Sequence, residues 1–286
     1  MHQPSLLDDQ PTWLPDALRA LGRHEFLTAR QLALVCVQPA AEVAHALDGL
    51  VRERLVHRLI PAAMDPRERA PAFALTRRGA DLLASTTDLP RPHVPNAKKS
   101  LYLLAHELAR NDLGVALHAL DRTGALRLLR WETARTKLAA SVQLVERGRL
   151  TRIPLVADAL AVVAATDHKP DALLVEIDRG TVSVARMRQK YRGYVAWWRG
   201  GGPERRFGLR SLRVVTLAPT ASRLERLREA ALHATEGRGS GLLWFGEQRL
   251  ASLDDPTRLL TPSWTRATPE AASEHLLAPL GVQVAA

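Results

Sequence analysis

Residues 170–181 read Pro170-Asp171-Ala172-Leu173-Leu174-Val175-Glu176-Ile177-Asp178-Arg179-Gly180-Thr181, with Lys190 and Tyr191 a short way downstream. The apolar run Ala172 to Val175 is bracketed by carboxylates and closed by Arg-Gly, which predicts a buried strand over Ala172 to Asp178 and a turn at Gly180. Acids at the ends of a buried strand are costly unless a cation sits between them. Asp171, Glu176 and Asp178 are therefore expected to converge on a divalent metal, with Lys190 pointing at a phosphate. The competing reading is purely structural. In it Asp178 and Arg179 form a strand-end ion pair, Asp171 caps a turn, and Glu176 pairs with Arg186 or Arg188.

Working outward, Ala185 to Trp198 reads as a basic helix carrying Arg186, Arg188, Lys190 and Arg192. Gly200-Gly201-Gly202-Pro203, with Glu204, Arg205 and Arg206, then reads as a flexible loop. Leu212 to Leu217 is a second buried strand, Ala221 to Thr235 a helix, and Gly241 to Phe245 a final strand. Strand, helix, strand, helix, strand over 170–246 predicts an α/β sheet flanked by helices. Upstream, Ala125 to Glu132 reads as a strand ending at a carboxylate, so that Glu132, Asp171 and Glu176 are expected at one sheet edge. Mg²⁺ or Mn²⁺ takes oxygen ligands of this kind and acidifies a bound water. Lys190 would orient that water or stabilise the phosphorane, with Tyr191 and Tyr194 stacking or hydrogen-bonding nearby. Leu155 to Ala161 is apolar with Asp158 inside it, and the stretches 142–145 and 151–154 are short and ambiguous. Residues 251–286 read as an irregular tail.

Towards the N-terminus the pattern changes. Leu14, Leu18 and Leu21 lie at helical spacing, Thr28 is placed to cap a second helix, and Pro39 to start a third. Leu55 to Ile60 and Ala72 to Leu75 read as strands joined by a polar loop with Arg67 and Arg69. Thr76-Arg77-Arg78-Gly79 then opens a short helix. Three helices, strand, loop, strand and helix over 12–87 is the order of a winged helix, whose third helix enters the major groove while the loop touches phosphate or minor groove. His45 and Arg52 on the third helix and Arg67, Arg69, Arg77 and Arg78 are the DNA-contact candidates of this domain, and Arg186, Arg188 and Arg192 on the basic helix are those of the second. Glu42, Asp48 and Glu53 oppose them, so a protein–protein or dimerising role stands beside DNA contact. Thr86 to Asn96 holds three prolines and reads as a semi-rigid linker (88–97), followed by a helix over 98–111 and a second domain to residue 250.

Composition sets the frame. The chain has 286 residues, enough for two modest domains, and 40 Lys and Arg against 30 Asp and Glu give a net charge of +10. That balance favours a polyanionic partner, because basic side chains release counterions from nucleic acid. The single cysteine, Cys36, reads as a small core residue, and no Cys/His cluster has zinc spacing. No signal peptide and no apolar stretch of about 20 residues is visible, which predicts a cytoplasmic protein.

The Phe73-Ala74-Leu75-Thr76-Arg77-Arg78-Gly79 stretch resembles the wing end of bacterial regulators. Pro170-Asp171 and Glu176-x-Asp178 resemble the two half-motifs of the PD-(D/E)xK nuclease superfamily. With Trp131-Glu132, Arg179-Gly180-Thr181 and Lys190-x-x-x-Tyr194, the whole layout, residues 15–246, is similar to the bacterial replication-relaxation family. The resemblance implies an α/β (α+β overall) chain. A winged helix-turn-helix is followed by a restriction-endonuclease-like domain, with a role in plasmid or mobile-element replication or mobilisation. It implies DNA as partner, with replication or mobilisation proteins and a homodimer as further expectations. The superfamily lysine two residues after the acid is missing: position 178 is Asp, and Lys190 is the candidate substitute. Three function classes follow. One is a catalytically silent DNA-binding protein, one is a Mg²⁺-dependent endonuclease, and one is a partner-binding module built on Trp197-Trp198 and Trp244-Phe245.

Overall fold

The computed structural model describes residues 11–61, 70–88, 90–133, 138–146, 148–164, 170–208, 211–270 and 272–277. The wing-loop arginines Arg67 and Arg69 lie outside them. Two compact units divide the chain, residues 1–115 and 116–286.

In the first unit, α1 (Leu14–His24), α2 (Ala29–Cys36) and α3 (Ala40–Arg52) precede strands β2 (Val56–Leu59) and β3 (Ala72–Leu75) and helix α4 (Arg77–Thr86). A two-residue strand β1 (Leu27–Thr28) completes an antiparallel sheet of order β1-β3-β2. Local chemistry sets these ends. Thr28 and Gln31 form a reciprocal capping box at the start of α2. Thr76 accepts from the Gly79 N–H at 3.0 Å to cap α4 and donates to the Arg54 carbonyl at 2.7 Å. A Cβ on Gly79 would meet the Leu55 carbonyl oxygen at 2.1 Å, so the Leu-Thr-x-x-Gly stretch is a packing requirement. Phe26, Ala72, Ala74, Leu104 and Leu108 close the core beneath the sheet. Asn111, fully buried, donates to the Phe26 carbonyl at 2.6 Å, and Gln31 donates to Asp112 at 2.7 Å.

Helix α5 (Ala97–Arg122) is 26 residues long, eleven residues beyond the expected end at 111, and the boundary between the units falls within it. The second unit is built on a seven-stranded sheet of order β12-β11-β10-β9-β8-β7-β4. Strands β4 (Arg127–Thr133), β7 (Ala159–Ala164) and β8 (Asp171–Ile177) run antiparallel. Strands β8, β9 (Leu212–Ala218) and β10 (Ser240–Glu247) run parallel, linked through α6 (Val184–Arg199) and α8 (Ala221–Ala234). The central strands are buried along nearly their whole length, as parallel strands covered by helices are. Gly202–Phe207, expected as loop, forms the short helix α7.

One further expectation is corrected and one ambiguous region is resolved. Residues 251–286 are not all irregular tail: β11 (Trp264–Ala267) pairs with β10, and β12 (Ser273–Glu274) pairs with β11. Trp264 is 1% exposed and donates to the Leu259 carbonyl, so burial of one large ring anchors this segment, which has no strand-length apolar run. The ambiguous stretches around 142 and 151 form a two-stranded arm, β5 (Ala139–Glu146) and β6 (Arg149–Val156), paired in register from Ala139–Val156 to Glu146–Arg149. An isolated hairpin is marginal in water. This one is held because Ile153 and Leu155 pack on α6, where Gly193 leaves room: a Cβ there would meet Leu155 at 2.8 Å. No single helix among the described residues is long and apolar enough to cross a membrane.

Candidate functional site

The polar groups of the second unit gather at the C-terminal end of β8. Glu176 is 3% exposed and points at α6, where Lys190 Nζ meets it at 2.6 Å and the Tyr194 hydroxyl donates to its other oxygen. Lys190 also donates to the Val156 carbonyl at 2.8 Å. Burial pushes the Glu176 carboxyl up to about 7, with the Lys190 charge opposing and the nearby Asp158 charge reinforcing the shift. Tyr194 and Tyr191 are held well above the ordinary phenol range, first by burial. Tyr191 shares a hydrogen bond of 3.2 Å with Thr216.

Two residues on, Asp178 is clamped by Arg223 of α8. The guanidinium reaches both carboxylate oxygens at 2.8 and 2.9 Å, and donates to the Val182 carbonyl at 2.5 Å. The Gly180 N–H donates to the same carboxylate at 3.1 Å, and Gln248 donates to the Asp178 carbonyl at 2.8 Å. Asp178 therefore pairs with Arg223; Arg179 stands half-buried in the turn beyond the strand.

The expected cluster of Asp171 with Glu176 does not form. Five residues separate them on one extended strand, about 17 Å at the usual rise, and an odd spacing turns their side chains to opposite faces. Asp171 meets Arg213 at 3.1 Å and Ser211 at the far end of the sheet. Glu132 is also apart: it pairs with Arg130 at 2.6 Å, and its register partner on β7 is Leu160, itself opposite Leu174. Two strand spacings, ~10 Å, lie between it and β8.

The acid that does stand beside Glu176 is Asp158, at the entry to β7. Its backbone N–H donates to the Val175 carbonyl at 2.9 Å and its carboxylate accepts from the Ile177 N–H at 2.7 Å. Its signal was present in the sequence: a lone acid inside the apolar run Leu155 to Ala161. Arg223 carried no comparable signal, since its partner lies 45 residues away.

These residues do not suit the Mg²⁺ or Mn²⁺ that the nuclease resemblance implies. Glu176 spends its oxygens on Lys190 and Tyr194, Asp178 on Arg223, and Asp171 is out of reach. No group of three or more His, Cys, Asp or Glu among the described residues is arranged to hold a metal.

Where α6 borders the arm the chemistry is different. Between the helix and the arm runs an open cleft lined by Val145, Arg149, Thr151, Arg186, Arg188 and Arg192, together with Ala185 and Gln189. None of these lining residues is acidic. Arg149, Arg186 and Arg188 are exposed. In the first unit, His45 and Arg52 are exposed two turns apart on α3, with Asp48 between them meeting Arg58 at 3.5 Å. Arg77 and Arg78 are exposed in the first turn of α4. Of the tryptophans, Trp198 is 44% exposed while Trp244 is buried with Phe245, so the two aromatic pairs form no common surface patch.

A chain with a small helical unit holding a three-stranded antiparallel sheet, followed by an α/β unit with a mixed sheet, is the class this geometry defines. The replication-relaxation family model matches residues 18–212, well over half of the chain, and the chain belongs to that family. No curated protein and no solved structure matches it.

Proposed function

We propose that the chain is a DNA-binding protein of the replication-relaxation type, serving plasmid or mobile-element replication or mobilisation. In this reading the first unit is a winged helix and the second a nuclease-like scaffold whose acids are neutralised internally. The observation that carries it is the arginine-lined cleft between α6 and the arm. Four guanidinium groups, from Arg149, Arg186, Arg188 and Arg192, with no lining carboxylate form a site for phosphates. His45, Arg52, Arg77 and Arg78, with Arg67 and Arg69, would supply the contacts of the first unit.

Binding to duplex DNA in EDTA, titrated with salt, tests this. The doubly substituted Arg186→Ala/Arg188→Ala protein should bind more weakly, with a salt slope shallower by about 2, roughly one for each phosphate left without its guanidinium. Unchanged affinity and slope would remove the cleft from the interface. The second reading, a metal-dependent endonuclease, rests on Asp158 standing beside Glu176 and Lys190, and it requires these groups to give up their present partners. Nicking of supercoiled plasmid with Mg²⁺ or Mn²⁺, lost in Asp158→Ala and in Lys190→Ala, would establish it. Binding without nicking under either metal would leave the silent scaffold.

A further inference from the structure

The arm formed by β5 and β6 has two unlike faces. Thr151, Ile153 and Leu155 turn towards α6, and Ile153 and Leu155 are buried there. The alternate residues turn outward: Leu150, Arg152, Pro154 and Val156 on β6, and Ser141, Gln143 and Val145 on β5, with Val145, nearest the tip, also bordering the cleft. Near the tip, Val145 and Leu150 are direct cross-strand partners, 66% and 71% exposed. Adjacent exposed aliphatic groups in register form an apolar point rather than scattered surface residues. Eight residues per strand make the arm about 26 Å long.

What surrounds this point identifies its partner. Arg149 precedes Leu150 directly, Arg152 lies one outward position further along β6, and Arg186, Arg188 and Arg192 face the arm across the cleft. An apolar tip ringed by guanidinium groups suits a partner with a dense anionic exterior and apolar surfaces that open only on deformation. A base-pair step of duplex DNA has that chemistry, and aliphatic wedges flanked by basic residues are a general way of kinking a duplex.

We propose that the arm is a DNA-bending element: the cleft arginines hold the backbone while Val145 and Leu150 enter a groove and wedge a base step open. This rests on the DNA-binding reading, and the test separates the two. Ligase-mediated ring closure of a duplex shorter than the persistence length of roughly 150 base pairs reports bending without knowledge of the target sequence. The full-length protein should raise the yield of closed rings. Leu150→Ser, at a position outside the cleft lining, should bind the same duplex within about twofold, because the phosphate contacts are intact, yet lose the gain in ring closure. The substituted position is solvent-exposed, so an unchanged thermal midpoint verifies folding. The proposal is overturned if the wild-type protein binds without promoting closure, or if the Leu150→Ser protein closes rings as well as wild type does. It is also overturned if the substitution only converts a dimer to a monomer, which would make a second copy of the chain the occupant. Failure of the wild-type protein to bind at all would instead sink the DNA reading beneath it.

Discussion

Helix α6 brings Lys190 and Tyr194 to the Glu176 carboxylate and Arg186, Arg188 and Arg192 to the cleft beside the arm, and the two settings treat charge in opposite ways. On the sheet side the Glu176 and Asp178 carboxylates each have a cation or hydroxyl at hydrogen-bond distance: Glu176 with Lys190 and Tyr194, Asp178 with Arg223. On the arm side guanidinium groups line a cleft with no lining acid. Removing charges from water is costly, so buried ones persist only when paired, whereas like-charged exposed groups persist side by side because solvent screens them. The paired groups therefore read as architecture, and the cleft is the surface on which the proposed DNA binding rests.

The sharpest way to break this comparison is to strip a partner from the buried face. Arg223→Ala leaves the Asp178 carboxylate buried without its guanidinium and should destabilise the protein by about 3–5 kcal/mol, read by chemical denaturation. A loss below ~1 kcal/mol would show that Asp178 reaches solvent and that the clamp is not structural.

The next effect is a pH dependence. Glu176 is raised from 4.5 to about 7 in the folded protein, so between those values the native state binds more protons than the unfolded chain. Its contribution is fully present below pH 4.5 and is lost as pH rises through 7. Glu176→Gln should remove that fall, flattening the stability profile across this window by up to about 3 kcal/mol. Parallel profiles for the two proteins would mean that Lys190 compensates the burial in full.

A smaller effect tests how the arm is held. Gly193→Val would push Leu155 and Ile153 off α6 and should cost roughly 1–3 kcal/mol through overpacking. It should also weaken DNA binding, because the cleft depends on the arm lying against the helix. Normal DNA affinity in a destabilised Gly193→Val protein would separate the arm from the interface.

Smallest is the change at the other end of β8. Asp171→Ala breaks a part-exposed pair with Arg213 and should cost at most about 1 kcal/mol, with DNA binding unaltered. Reduced DNA binding in this variant would return Asp171 to the functional surface.

Much of the fold was legible because it rests on local pattern. The apolar runs 172–177 and 212–217, the helix carrying Arg186 to Arg192, and the Thr76 cap with Gly79 all announce themselves within a few residues. Where a segment depends on distant partners, the pattern was weak. The arm reads ambiguously because its outward face carries Val145 and Leu150 beside Gln143 and Arg152, which blurs the period-two alternation. Strand β11 reads as tail because its anchor is a single buried tryptophan, Trp264.

The charged residues divide in the same way. Composition alone determined that the chain is strongly basic, and the spacing of Glu176, Asp178 and Lys190 alone determined that a polar cluster sits at the end of a buried strand. Which acids share that cluster was a tertiary decision. Asp171 is five residues from Glu176 in sequence yet far from it on a straight strand. Asp158, eighteen residues away, is brought beside it because antiparallel pairing of β7 with β8 sets Ala159 opposite Val175. Strand geometry keeps near neighbours along one strand apart and brings together residues that share a row of the sheet, and rows are chosen by pairing rather than by sequence distance.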